Sequence, residues 1–263
     1  LVDASDSREL AQRVLRLLPD EPRYVEARAM LLRGDAEIIP GDSASATSAA
    51  TSPPDCVVRC MEQPLAVVIG SPGCEIVRES VETSRLEIEV LCHESQRELV
   101  ASSLPDWDAV GAVFHVLPGG TTLPDAEDRE GVSLCMLEPR DATLFATLSP
   151  RLRQEMLLAL RISPVVAAMV DGRPVSMAYS PAMTQRWFDI AVETVESHQR
   201  RGLAELVSRR LISLLMKRGL DPIWGAVDSN AASLALARKL GFVAHDDMAL
   251  FTRPRSAGRH RRT

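Results

Sequence analysis

The chain has 263 residues, 46% of them hydrophobic and 25% charged, with a formal net charge of −6. That length and composition support a buried core of one large or two small domains, and the acidic balance argues against nucleic acid as a whole-protein partner. No apolar run reaches the roughly 18 to 20 residues a membrane-spanning helix needs, and the N-terminus is amphipathic and charged where a secretory segment would be apolar, so a cytoplasmic protein is expected.

The apolar residues Leu10, Val14, Leu17 and Leu18 recur at helical spacing and predict a helix from Ser7 to Leu18. A second helix is predicted from Pro22, where a first-turn proline is tolerated, to Leu32, with Gly34 ending it. Pro40 to Pro54 is rich in Ser, Ala, Thr and Gly and reads as a flexible loop. Strands are expected at Cys56–Met61, Leu65–Gly70, Leu86–Cys92 and Ala109–Leu117, with a helix at Glu94–Leu104. In the second half a helix over Ser149–Leu160 precedes Val165–Val170 and Val175–Tyr179, which form a hairpin through Asp171-Gly172. Then come a strand from Arg186 to Val195, a helix from Gly202 to Arg218, a strand at Ile223–Val227, a helix at Ala231–Leu240 and a last strand near Met248–Thr252. Leu203, Val207, Leu211, Leu214 and Leu215 form one stripe of the long helix, and Gly219 stands just past its end.

The five cysteines show no C-x-x-C pair and no His at metal-ligand spacing, so free core thiols are expected and no metal site. Lysine occurs only at Lys217 and Lys239, a usage that codon bias accounts for more simply than phosphate chemistry. Residues 254–263 are basic and low in hydrophobics, and read as a disordered tail.

Gln199-Arg200-Arg201-Gly202-Leu203-Ala204 stands between a long strand and a helix. Such a turn aims backbone N–H groups and the positive end of a helix dipole at one point, which suits a pyrophosphate; a plain strand-to-helix connection with solvated arginines is the alternative. Gly202 lets an anion approach without a Cβ in its way, and Ala204 keeps the next turn thin. The hexapeptide resembles the [Q/R]-x-x-G-x-[G/A] coenzyme A signature of the GNAT acyltransferase superfamily. A second block, Asn230-Ala231-Ala232-Ser233 running on to Leu240-Gly241-Phe242, resembles the family's N-x-x-[A/S]…L-G-F segment. With Glu193-Thr194 and Pro222-x-Trp224, the wording is most similar to the branch that includes zwittermicin-resistance acetyltransferases, over roughly Val165 to Arg253.

The resemblance implies an α/β GNAT fold, a mixed and mostly antiparallel sheet with helices on both faces. It implies acetyl-CoA as cosubstrate and an amine, small-molecule or peptide, as acceptor, through direct attack in a ternary complex. Backbone groups of Val192 and Thr194, flanking Glu193, would bond the pantetheine arm, and residues Arg200 to Glu205 would hold the pyrophosphate after Gln199. Asn230, otherwise a helix N-cap, would bond the arm, with Ser233 close by. The N–H of Val192 would receive the oxyanion. Many relatives use a Tyr acid on the last helix, but Ala237 stands there, which leaves Tyr179 as a substitute acid; Phe188 and Ile190 are apolar where some relatives carry a base. Glu193 is the first choice of base, with a solvated carboxylate as the alternative, ahead of Asp189, His198 and Asp228. A catalytically silent acyl-CoA-binding module and a longer acyl donor are the rival functions.

The order hairpin, strand, helix, strand recurs loosely in both halves, which suggests an N-terminal portion over 1–130 that is a degenerate GNAT half and a catalytic domain over 131–253. The segment from Cys92 to Arg97, set against the 199–204 turn, lacks a glycine. A homodimer is compatible with these features.

Overall fold

The computed structural model describes residues 4–41 and 53–254. Most of the loop expected over Pro40–Pro54, and the tail beyond residue 254, lie outside the described residues. Helix α1 (Ala4–Leu17) is followed by a 3-10 turn at Pro22–Tyr24, α2 (Val25–Arg33) and β1 (Ala36–Pro40). Gly34, at φ 78°, ends α2 in the left-handed conformation that a side chain would resist. Then come β2 (Cys56–Cys60), β3 (Leu65–Ile69), α3 (Cys74–Glu82), β4 (Glu89–His93), α4 (Arg97–Ser103) and β5 (Asp108–Val116). The second half contains β6 (Ser133–Leu137), a 3-10 segment at Pro139–Thr147, α5 (Pro150–Ile162), β7 (Val165–Val170) and β8 (Arg173–Tyr179). It ends with β9 (Trp187–Asp189), β10 (Ala191–Thr194), α6 (Leu203–Met216), β11 (Asp221–Val227), α7 (Ala231–Lys239) and β12 (Val243–Thr252).

Strands β1 and β6 and helix α3 are absent from the sequence expectations as elements. The nine residues of α3 follow Pro72-Gly73, a turn signal, and their apolar face of Ile76, Val77 and Val81 spans only about two turns. The strand expected from Arg186 to Val195 is broken at Ile190, and the two pieces belong to different sheets.

One sheet has eight strands in the order β1-β2-β3-β4-β12-β5-β11-β9, and the other has four in the order β10-β8-β7-β6. All pairings are antiparallel except β3 with β4 and β9 with β11. Strand β5 comes from the first half yet lies between β11 and β12, while β12 comes from the second half and pairs with β4. The sheet therefore runs across the loop between β5 and β6.

Each face buries a separate core. Val14, Val25 and Met30 of the first two helices, with Leu18 between them, pack on Val58, Val67, Phe114 and Ile223. On the opposite face Val77, Val81 and Val100 cover Val68, Val90 and Phe251. In the four-stranded sheet, Leu152 and Met156 of α5 meet Val165, Ala167 and Met177 on one side. Leu203, Val207, Leu211 and Leu215 of α6 meet Val166, Ala178 and Phe188 on the other, as the stripe in the sequence requires. Cys56, Cys60 and Cys92 are buried free thiols.

Candidate functional site

Strands β9 and β11 run parallel through Trp187↔Asp221, Phe188↔Pro222 and Asp189↔Ile223, and then part. Among the described residues, β11 beyond that point pairs only with β5, while the chain of β9 continues as β10 and pairs only with β8. The facing edges of β10 and β11 thus lack strand partners. The N–H of Val195 donates to the carbonyl of Val175 at 2.8 Å, so by two-residue alternation Ala191 and Glu193 share its side and bond to β8. The backbone groups of Val192 and Thr194 then point into the split. Gln199 marks this edge: its Nε2 donates to the Thr194 carbonyl at 3.3 Å.

Asp189 sits at the apex, 9% exposed, and its Oδ1 accepts the N–H of Gly225 at 3.0 Å. That N–H lies just past the last paired residues of β11, so a side chain satisfies a group that the parting of the strands would orphan. Burial pushes the Asp189 carboxyl up, against the pull of the Gly225 and Ile190 amides. Glu26 on α2 is pushed up too, by burial first and then by the charge of Asp189, with Arg33 opposing. The N-terminal segment also reaches the start of β9: Trp187 Nε1 donates to the carbonyl of Asp20 at 2.9 Å, and Arg28 Nη2 to Gln185 Oε1 at 2.8 Å.

The split opens into a cleft of about 690 Å³ that continues to the start of α6 and along α7. Val192, Glu193, Thr194, Gln199, Arg200 and Gly202 line it, as do Leu203, Ala204, Glu205, Asn230 and Ser233; Arg201 and Tyr179 do not. Arg200 and Gly202 both have left-handed backbones, φ 60° and 76°. For Arg200 such a conformation costs about 1 to 2 kcal/mol. Alternating hands turn successive N–H groups toward one point, and no side chain caps the N-terminus of α6. Two cations beside this turn escaped the sequence reading. Arg129, from the loop before β6, lies with Nη1 3.4 Å from where a Cβ on Gly202 would stand, and Lys239 lines the cleft while pairing with Glu205 at 2.6 Å. Burial works against ionised Glu205, but Lys239 and Arg209 outweigh it and hold the carboxyl below its usual range. Neither cation is near the signature in sequence.

Asn230 Oδ1 accepts the N–H of Ser233 at 3.1 Å, so its oxygen caps α7, and Ser233 Oγ accepts from the buried Trp224 Nε1 at 2.8 Å. Ala237, where relatives place a Tyr, is fully buried. Across β10, Val192 packs with the α6 core while Ala191 and Val195 pack with the α5 core, so Glu193 projects to the α5 side. There Arg151 lies 3.3 Å from it and bridges to Glu155 at 2.8 Å. Tyr179 faces the same side, buried, with its hydroxyl donating to Glu155. Burial, and then that bond, push the Tyr179 phenol up. The strand has no bulge here, so Glu193 and Val192 stay on opposite faces.

Residues 166–251 match the family model for GNAT acetyltransferase. This part of the chain is a GNAT acetyltransferase domain. A stretch of 54 residues is 39% identical to the uncharacterized N-acetyltransferase YdfB of Bacillus subtilis, and it spans 20% of this chain and 21% of YdfB. The fold is similar to that of a GCN5-related N-acetyltransferase-like protein from Streptococcus suis, at TM-score 0.66 and 18% identity over 94% of this chain and 99% of that one. A GNAT-family acetyltransferase from Colwellia psychrerythraea matches at TM-score 0.58 and 12% identity, over 97% and 98%. The GNAT domain is of an acyltransferase family, and its likeness to solved structures extends through the N-terminal half. Among the described residues, no helix is long and apolar enough to cross a membrane.

Proposed function

We propose that the chain transfers an acetyl group from acetyl-CoA to a primary amine by direct attack in a ternary complex. The observation that carries this reading is the parted strand pair whose open edge leads to an uncapped, glycine-started helix. The site fits the cosubstrate on its own features. An unpaired β10 edge offers N–H and C=O groups to an amide-bearing arm, and the turn at 199–204 offers N–H groups to a diphosphate. The cleft volume lies within the range usual for small-molecule sites.

Acetyl-CoA supplies the acetyl group as a thioester: the amine nitrogen bonds to the carbonyl carbon, the carbon–sulfur bond breaks, and the thiol leaves with a proton. In this reading Gln199 to Glu205 hold the diphosphate, with Arg129 adding charge, and Asn230 and Ser233 border the arm. The N–H of Val192, in the split, donates to the carbonyl oxygen as charge grows on it. Glu193, on the α5 side, takes the proton of the amine as it attacks, and the leaving sulfur takes a proton from water, since Tyr179 lies outside the cleft with its hydroxyl on Glu155. Glu193-Thr194, Pro222-x-Trp224 and Leu240-Gly241-Phe242 support the zwittermicin-resistance branch.

A second reading, a silent acyl-CoA-binding module, is favoured by Ala237 and by the commitment of the Tyr179 hydroxyl to Glu155. Thiol release from acetyl-CoA against pooled primary amines separates the two. Release with at least one amine supports the enzyme; coenzyme binding without release supports the module; neither binding nor release removes both.

A further inference from the structure

The N-terminal half contains a second parted strand pair. Strands β3 and β4 run parallel through Leu65↔Glu89, Ala66↔Val90 and Val67↔Leu91, three residue pairs as in β9 and β11, and then separate. After that, among the described residues, β3 keeps only β2 and β4 keeps only β12. The flanking elements correspond as well: β3 leads through Gly70-Ser71-Pro72-Gly73 into α3, as β10 leads through the 199–202 turn into α6. This register makes Gly70–Gly73 the counterpart of the phosphate turn, whereas the sequence expectation set Cys92–Arg97 there. That segment follows β4, the counterpart of β11.

Register also aligns individual groups. Counting from the last paired residues, His93 stands where Gly225 stands, and Gly70 stands where Val192 stands. In the C-terminal split the N–H of Gly225 is taken by Asp189. In the N-terminal split the N–H of His93 is taken at 2.9 Å by Gln96 Oε1, and the same carboxamide donates through Nε2 to the carbonyl of Gly70 at 2.5 Å. One side-chain amide therefore spans the two strand edges, as an amide of a bound arm would. At the turn, Asp55 Oδ1 accepts the N–H of Ser71 at 2.7 Å and fills the space beside Gly70, and the Glu75 carboxylate fills the space beside Gly73 at the start of α3. These carboxylates lie in the turn that opens α3, whose N-cap receives no side-chain hydrogen bond.

We propose that the N-terminal half is a second copy of the coenzyme-binding unit, reduced by its own side chains to a pocket of about 260 Å³ against the 690 Å³ of the C-terminal cleft: Gln96 stands in for the arm, and Asp55 with Glu75 for the phosphates. The chain then has one coenzyme A site, in the C-terminal half. Its N-terminal copy keeps the fold of a liganded unit without a ligand and lends β5 to the sheet of the other. This inference rests on the reading of the C-terminal cleft as a coenzyme A site.

Two measurements on the full chain test it. Calorimetric titration with coenzyme A should give one site per chain, weakened about 30-fold or more in Gly202→Asp and kept with its affinity unchanged in Gln96→Ala and Asp55→Ala. Two sites, or binding that keeps its affinity in Gly202→Asp and is lost on Gln96→Ala, would overturn the inference. Hydrogen exchange on ligand-free protein should find the amides of Ser71 and His93 protected. Asp55→Ala should release the first and Gln96→Ala the second, each by about tenfold or more. Should Gln96→Ala fail to fold, Gln96→Glu keeps the acceptor for His93 while losing the donor to Gly70, and should leave His93 protected. Wild-type amides exchanging at unprotected rates refute the plug. A chain that binds no coenzyme A removes the proposed function, and the exchange measurement still decides the plug by itself.

Discussion

Gly202→Asp separates the roles of backbone and charge at the start of α6. Gly202 has φ 76°, so any side chain there adopts the left-handed conformation at a cost of about 1 to 2 kcal/mol, with Asp at the lower end. Only Arg129 Nη1, at 3.4 Å, lies near the new Cβ, and a guanidinium accommodates a carboxylate. At about 2 to 4 °C per kcal/mol for a chain of this size, the melting temperature should fall by roughly 2 to 8 °C, leaving a folded protein. The effect on the anion is larger. A carboxylate charge held about 4 Å from a diphosphate carrying about two charges costs on the order of 2 kcal/mol even at the dielectric of water, and more in a partly enclosed cleft. Coenzyme A affinity should drop by about 30-fold or more. Gly202→Ala carries the same backbone strain without the charge, so it should melt lower yet bind within about threefold of the parent. Calorimetry on both variants, after circular dichroism confirms their fold, measures the difference. A folded Gly202→Asp that binds coenzyme A as tightly as the parent would place the phosphate site elsewhere.

Glu193→Gln should lower turnover by roughly 10² to 10⁴ with little change in acetyl-CoA affinity, the loss shrinking as pH rises toward the amine's own pKa near 10. Wild-type turnover across that range would remove Glu193 from the mechanism. Asp189→Asn concerns pH and stability: the raised carboxyls of Asp189 and Glu26 make the folded chain hold more protons than the unfolded one above pH about 4. Stability therefore falls as pH rises from there through their folded pKa values, by at most about 1.4 kcal/mol per pH unit for each proton, and Asp189→Asn should flatten that slope in urea titrations. An unchanged slope would refute the account. Burial pushes the thiols of Cys56 and Cys92 up to about 12, so in a thiol-reagent assay at pH 8 these two should react only after unfolding, while the half-exposed Cys74 and Cys135 react in the native protein. Rapid native labelling of either buried thiol would contradict the packing.

Local chemistry was legible in the residues alone. The α6 stripe, the Asp171-Gly172 hairpin and the two blocks at 199–204 and 230–242 each depend on neighbours within about one helical turn or one hairpin, and periodicity and turn residues report such neighbours. The elements that went unread, β1, α3 and β6, are short, at five, nine and five residues. Strand β6 is also a sheet edge, where burial imposes little alternation. Nothing between Arg186 and Val195 signals a break, because no Gly or Pro stands there: the strand divides at Ile190 since β11 departs to follow β5, a partner more than 100 residues earlier in the chain. The same long-range pairing placed Arg129 beside Gly202, brought Glu26 to Asp189, sent Glu193 to the α5 face and exchanged β5 with β12. Sequence determined which segments become helix or strand and where an anion could meet a helix. Tertiary structure decided which strand edges stay open, because an edge is closed or left free by whatever strand lies beside it, and that strand is chosen by contacts far apart in the chain.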